Sequence, residues 1–105
     1  MNEIPVKQYF KMKERYPQLL DAVESLGVAV GKAGPVDDKV RQLVQLAAAA
    51  AIRSEGAVHS HVRRAVEAGA SADEIRHVIM LLTSTIGFPT VMAAMTWADD
   101  VLEAA

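Results

Sequence analysis

The chain has 105 residues, a net charge of −2 at pH 7 and no cysteine. This length suits one domain with its own core, so we expect a single domain over residues 1–105. The absence of cysteine excludes disulfides, thiolate catalysis and thiolate metal sites. The charge balance, in which Arg63 and Arg64 are an isolated basic pair, argues against a nucleic-acid-binding surface.

Hydrophobic residues make up 51% of the chain, which is high for a small monomer. Because a small chain has little interior, we expect part of this apolar surface to lie between subunits of a homo-oligomer. The apolar run from Leu46 to Ile52 is too short to cross a bilayer, and the first residues lack the pattern of a secretory signal. The sequence therefore predicts a cytoplasmic protein without a membrane partner.

Helical spacing of apolar residues begins near the N-terminus. Residues 6–15 are predicted to form a short helix or an irregular arm. Pro17 suits the first position of a second helix, and Pro35 prevents this helix from continuing beyond Gly31 and Gly34. The second helix carries an apolar stripe of Leu20, Val23, Leu26 and Val30.

The next two helices are predicted on either side of Gly56. Asp37 or Asp38 can cap a helix that extends to about Arg53. A further helix is predicted from about Ala57 to Ala68, since Gly69 is a good C-terminal glycine. The core-facing residues expected on the first of these helices are Val40, Leu43, Val44, Leu46 and Ala47.

The last third of the chain has clear start and stop signals. Ser71-Ala-Asp-Glu74 is a capping box, and the turn from Gly87 to Pro89 separates this helix from the final one. The inward residues expected on the two helices are Ile75, Val78, Ile79, Leu82, Ile86, Met92, Met95, Ala98, Val101 and Leu102. No strand-like alternation of useful length occurs, so the predicted class is all-α with about five to six helices.

Two histidines lie near the predicted break at Gly56. His59 and His61 are two residues apart, which on a helix is a rotation of about 200°, so their rings point to nearly opposite sides. They cannot hold one metal ion together within a subunit, because helical zinc sites use spacings of three or four. The sequence therefore predicts no metal site. It also lacks a glycine-rich phosphate loop, so we expect no nucleotide cofactor.

His61 is the stronger candidate for catalysis. It is predicted about one turn into its helix, where the positive end of the helix dipole favours a neutral ring that can accept or pass a proton. Glu55, close by in sequence, is the second catalytic candidate, as a proton acceptor or as the group that orients an imidazole. The structural alternatives are a half-buried histidine with one hydrogen bond and an exposed acid beside Arg53.

The segment from Arg53 to Gly69, together with Ser71-Ala-Asp-Glu-Ile75 and Ile86-Gly-Phe-Pro89, resembles the conserved half of carboxymuconolactone decarboxylase-like proteins. That superfamily includes the AhpD-type alkylhydroperoxidases. The resemblance is best over residues 36–102. It implies an AhpD-like all-α fold around a helical hairpin, in an obligate oligomer that is commonly a trimer or a hexamer.

The two branches of this superfamily imply different chemistry. In the AhpD-like branch a Cys-x-x-Cys pair and an acidic residue accompany the histidine. His61 matches, whereas the cysteine positions fall here on Ser54 and Ala57 and the acidic position falls near Gln42. Thiol peroxidase or disulfide reductase activity is therefore the less favoured interpretation, since that cycle needs sulfur. The decarboxylase branch lacks the cysteine pair, uses no cofactor and removes CO₂ from a lactone acid.

Two hypotheses remain open from the sequence, so whether the chain is an enzyme is undecided at this stage. In the first, the chain is a cofactor-independent lyase that acts on a lactone or another small organic acid, with His61 as proton shuttle. In the second, it is a catalytically reduced family member that serves as an oligomeric binding or structural protein. The retained His61 favours the first, and the missing relay residues favour the second.

Overall fold

The computed structural model of the chain describes the backbone of residues 4–104 and the side chains of residues 7–104. Every regular element in this range is helical, which confirms the predicted all-α class. None of the described helices is long and apolar enough to span a bilayer. The elements are α1 (Ile4–Arg15), α2 (Pro17–Lys32), α3 (Asp38–Ala51), α4 (Glu55–Glu67), α5 (Ala72–Met80), the single turn α6 (Thr83–Ile86) and α7 (Phe88–Leu102).

The chain divides between Val36 and Asp37 into two compact units. In the first unit α1 packs against α2, and Lys13 forms an ion pair with Glu24 at 3.1 Å. Pro17 occupies the first turn of α2 as predicted, because its fixed backbone angle suits a position that needs no N–H donor.

The apolar stripe predicted on α2 is largely exposed. Leu20 is buried, whereas Val23, Leu26 and Val30 are each more than half exposed. Leu19 is also exposed, and its spacing from the other three at i+4, i+7 and i+11 puts all four on one face of the helix. The exposed face is therefore centred away from Leu20, which packs on a different side.

The second unit holds the buried core. Helix α3 packs against α4, and α7 packs against α4 and α5. This arrangement buries small and β-branched side chains, which allow the helix backbones to approach closely. The core consists of Leu46, Ala49, Ala50, Val58, Val62, Ala65, Ala70, Ile75, Ile79, Val91, Ala94 and Ala98.

The break between α3 and α4 is not at Gly56, and this prediction was wrong. Helix α3 ends at Ala51, Arg53 takes a positive φ of 56°, and Ser54 caps α4 by accepting a hydrogen bond from the Ala57 N–H at 3.3 Å. Gly56 lies inside the first turn of α4. The serine cap outweighs the low helix propensity of one glycine, so α4 begins two residues earlier than predicted.

The other helix boundaries follow the predicted caps. Asp37 accepts a hydrogen bond from the Val40 N–H at 2.9 Å, and both bonds of the Ser71–Glu74 capping box are present. Gly87, with a φ of 90°, separates α6 from α7. The predicted helix after Ser71 is interrupted, because α5 ends at Met80 before the turn that leads into α6.

Three residues predicted to face the core are exposed instead. Val40 and Val44 on α3 and Met92 on α7 lie on the surface of the chain, with exposed fractions between 45% and 60%. Gln42 occupies the buried side of α3 that the apolar pattern assigned to valine, and it is only 4% exposed. A polar residue is therefore placed in the interior, next to α4.

Candidate functional site

His61 and Gln42 form a hydrogen-bonded pair between α4 and α3. The His61 Nδ1 lies 2.9 Å from the Gln42 Oε1. An amide oxygen only accepts hydrogen bonds, so the imidazole must carry its proton on Nδ1 and donate it. The neutral ring then has its lone pair on Nε2, which is the nitrogen able to take a proton.

The surroundings of His61 lower its pKa from the ordinary value of 6.5. Partial burial contributes most, because it disfavours the charged imidazolium, and the positive charges of Arg64 and Arg41 add to the effect. The neutral form predicted from the sequence is therefore favoured, but for a different reason. Since α4 begins at Glu55, His61 is nearly two turns into the helix and beyond the strongest influence of its N-terminus.

Arg41 adds a positive charge near the His61–Gln42 pair. It is the neighbour of Gln42 on α3, and its side chain is partly exposed. Its ion pair with Asp38 is long at 3.7 Å, and its buried Nε has no hydrogen-bond partner within residues 7–104. A neutral base is thus located in the electrostatic field of two guanidinium groups, an arrangement that attracts anions.

His59 faces a different helix from His61, as the spacing predicted. Its ring is 1% exposed, and its Nε2 lies 3.0 Å from the Asp100 Oδ2 on α7. The Nδ1 of the same ring is buried without a hydrogen-bond partner in the described part of the chain. His59 therefore links α4 to α7, while His61 links α4 to α3.

Glu55 lies with the His59 pair. One ligand atom each from Glu55, His59 and Asp100 falls within 4.8 Å of the other two. The six residues from Glu55 to His61 correspond to a rotation of about 240° and a rise of about 9 Å on a helix, which puts these two side chains on different sides. The catalytic role of Glu55 beside His61 remains a prediction, and the partner of His61 in the structure is Gln42.

Sequence reasoning missed two members of these clusters. Asp100 is 41 residues from His59, so no local spacing signals their contact. The sequence predicted no contact between Gln42 and His61, and Gln42 lies among the buried residues of α3. The i,i+4 spacing of Glu55 and His59, once α4 is known to start at Glu55, is the local signal that was available.

Comparison with known proteins gives a family match over most of the chain. The model of the carboxymuconolactone decarboxylase family matches residues 17–100. A carboxymuconolactone decarboxylase family protein from Legionella pneumophila has a similar structure, with a TM-score of 0.79, 26% sequence identity and coverage of 93% of this chain and 88% of that chain.

Two relatives found by sequence have no assigned activity. An uncharacterized protein of Methanocaldococcus jannaschii is 28% identical over 102 residues, which is 97% of this chain and 92% of the relative. An uncharacterized protein of Haemophilus influenzae is 36% identical over 59 residues, or 56% of this chain and 52% of the relative. Neither description specifies a substrate.

Proposed function

Because the chain belongs to the carboxymuconolactone decarboxylase family, we propose that it is a cofactor-independent carbon–carbon lyase acting on a small organic acid, with His61 as the proton shuttle. The observation that carries this proposal is the His61–Gln42 pair, in which the amide oxygen accepts the Nδ1 hydrogen and leaves Nε2 of the neutral ring basic. A carboxylate in place of Gln42 would instead stabilise the imidazolium.

In the proposed reaction, His61 transfers a proton in a step coupled to loss of CO₂. The bond between the carboxylate carbon and its neighbour breaks, CO₂ leaves, and the electron pair remains on the neighbouring carbon. The neutral ring first takes a proton on Nε2 from another position of the substrate and then delivers it to that carbon, and solvent returns a proton to the vacated position. General acid–base catalysis of this kind contributes about 10²–10⁴-fold to rate.

The two arginines near His61 support an anionic substrate. Arg41 and Arg64 both act on the His61 ring through their charge. A substrate carboxylate placed near them would be attracted electrostatically, and the guanidinium group is the side chain best suited to two-point contact with a carboxylate. This charge pattern favours a lactone acid or another small carboxylate over a neutral or cationic molecule.

A second candidate function is an oligomeric binding or structural protein that has lost catalysis. Gln42 occupies the position where the AhpD-like pattern has an acid, and the chain has no cysteine for that relay. The exposed apolar residues also fit a role that depends on association. Peroxidase or disulfide reductase chemistry is not proposed, because the chain supplies no thiol.

Release of CO₂ from carboxymuconolactone and from simpler lactone acids tests the lyase proposal. We expect the wild-type protein to accelerate release above the rate in buffer and the His61→Asn variant to lose most of this acceleration. His77→Asn is the matched control, because His77 is an exposed histidine on α5. Binding of these acids without CO₂ release would favour the second candidate function.

Replacing Gln42 by glutamate is expected to move the pH dependence of activity. The new carboxylate would lie next to the His61 Nδ1 and raise the pKa of the imidazole, because a neighbouring negative charge favours the imidazolium. Since the neutral ring is the base, activity should be retained above the pKa and lost as pH falls through it. The acidic limb of kcat/KM should therefore shift to higher pH in Gln42→Glu.

The pH profile of kcat/KM, measured from pH 5 to pH 9, checks this shift. Gln18→Glu makes the same charge change at an exposed position of α2 and should leave the profile unchanged. An unshifted acidic limb in Gln42→Glu, with the variant folded, would contradict a role for His61 as the titrating base.

We further propose that the protein is a homo-oligomer, a trimer or a hexamer. The exposed stripe of Leu19, Val23, Leu26 and Val30 on α2 supports an interface there. Water contact with such a stripe is unfavourable, and burial against another chain removes it.

Light scattering coupled to size exclusion should give a mass well above the 11.3 kDa of one chain. Leu26→Glu should reduce this mass because it puts a charge into the stripe. Ser25→Glu, on another face of α2, should not change the mass. A single-chain mass for the wild type at micromolar concentration would contradict the assembly.

A further inference from the structure

Glu55, His59 and Asp100 bring two carboxylates and one imidazole together outside the His61 site. One ligand atom from each side chain lies within 4.8 Å of the other two. Glu55 and His59 are four residues apart on α4, and Asp100 comes from α7. The i,i+4 spacing puts two ligands on one helix face, which is how helical metal sites are commonly built.

The three side chains differ in burial in a way that suits an ion near the surface. His59 is almost fully buried, and Asp100 is 35% exposed. Glu55 is also partly exposed. Burial thus holds the histidine ligand in place. The partly exposed carboxylates leave an entry path from solvent and room for water as further ligands.

Charge also favours a cation at this position. Two carboxylates close to each other and partly removed from water repel each other, and a divalent cation between them would be attracted to both. The C-terminal end of α7, near Asp100, adds the negative end of a helix dipole.

We propose that Glu55, His59 and Asp100 bind one divalent transition-metal ion per chain. Two oxygen ligands and one nitrogen ligand match manganese, iron or zinc better than calcium or magnesium, which prefer oxygen alone. The site is separate from His61, whose ring hydrogen-bonds to Gln42 on the other side of α4. The ion would connect α4 to α7 and stabilise the folded state by binding it preferentially.

The ring of His59 sets a limit on the affinity. When the ion occupies Nε2, a neutral ring carries its hydrogen on Nδ1, which is buried without an acceptor in the described residues. Histidine ligands bind more tightly when the second nitrogen donates to a carboxylate or carbonyl, typically by 10–100-fold. We therefore expect binding in the micromolar range, weaker than that of structural zinc sites.

Cobalt(II) is the probe for this site, because its visible absorption reports nitrogen and oxygen ligation. The full chain without a histidine tag is treated with EDTA, dialysed and titrated with Co²⁺ at neutral pH. We expect absorption bands that saturate near one equivalent per chain and a rise in the thermal midpoint. Glu55→Gln and Asp100→Asn should each weaken binding by roughly 10-fold or more.

Two matched variants decide whether the ion lies where we propose. Asp99→Asn removes the neighbouring carboxylate, which pairs with Arg76 at 3.0 Å, and should keep Co²⁺ binding. His61→Asn should also keep it, so failure of the lyase proposal and failure of the metal site are distinguishable. No saturable Co²⁺ binding by the wild type, or wild-type binding by both Glu55→Gln and Asp100→Asn in folded form, would overturn the proposal.

Discussion

His61→Ala is expected to lower the turnover of a lactone acid by roughly 10²–10⁴-fold. The variant removes the nitrogen that the His61–Gln42 pair leaves basic, so the pair can no longer carry a proton. The fold should persist, because the ring is only half-buried and the main structural cost is the unpaired oxygen of Gln42. Leaving one buried acceptor without a donor costs about 1–3 kcal/mol.

Kinetics and unfolding must be measured on the same preparations to interpret this variant. kcat and KM come from CO₂ release, and the free energy of unfolding comes from urea titration at fixed protein concentration. Wild-type turnover by folded His61→Ala would assign a structural role to His61. A loss of activity that only follows a loss of folded protein would do the same.

Among the histidine variants, His59→Ala is expected to lower the free energy of unfolding most. The ring is 1% exposed and contacts Asp100 across the interface of α4 and α7, so its removal leaves a cavity and deletes a hydrogen bond. Truncation of a large buried side chain typically lowers the free energy of unfolding by about 2–5 kcal/mol. Any loss of activity should follow from this destabilisation, since His59 lies on a different side of α4 from His61.

Urea titration of His59→Ala, with His77→Ala as the exposed control, checks this expectation. The control should stay within about 0.5 kcal/mol of the wild type, as is usual for surface substitutions. A His59→Ala variant as stable as the control would mean that the buried ring contributes little to the packing of α4 on α7. We therefore expect the His59 variant to lose mainly stability and the His61 variant to lose mainly turnover, although both residues lie on α4.

Helix termini with side-chain caps could be predicted from the sequence. Asp37 and Ser71 are at expected cap positions, because a cap depends on a few neighbouring residues. Pro17 likewise occupies the first turn of α2, as its fixed backbone angle predicts. The predicted break at Gly56 was wrong because the start of α4 is set by Ser54, and a glycine is tolerated in the first turn of a capped helix. The side-chain cap, and not the low helix propensity of glycine, therefore sets the residue at which α4 begins.

The direction of burial was harder to predict than the helices. Val23, Leu26 and Val30 have helical spacing, yet their stripe faces outward in the single chain. Periodicity identifies an apolar face but does not tell whether the same chain or another copy covers it. The partners of the two histidines, Gln42 and Asp100, are 19 and 41 residues away, so only the packing of α4 against α3 and α7 brings them together.

A direct measurement of the protonation state of His61 tests, without any substrate, whether this histidine is a neutral base with its lone pair on Nε2. Nitrogen NMR of the imidazole rings across a pH titration gives the pKa and tautomer of each histidine, with assignment from His77→Ala and His61→Asn. We expect a pKa of His61 below 6.5 and, in the neutral ring, a proton on Nδ1. A pKa at or above 6.5, or a neutral ring protonated on Nε2, would contradict it.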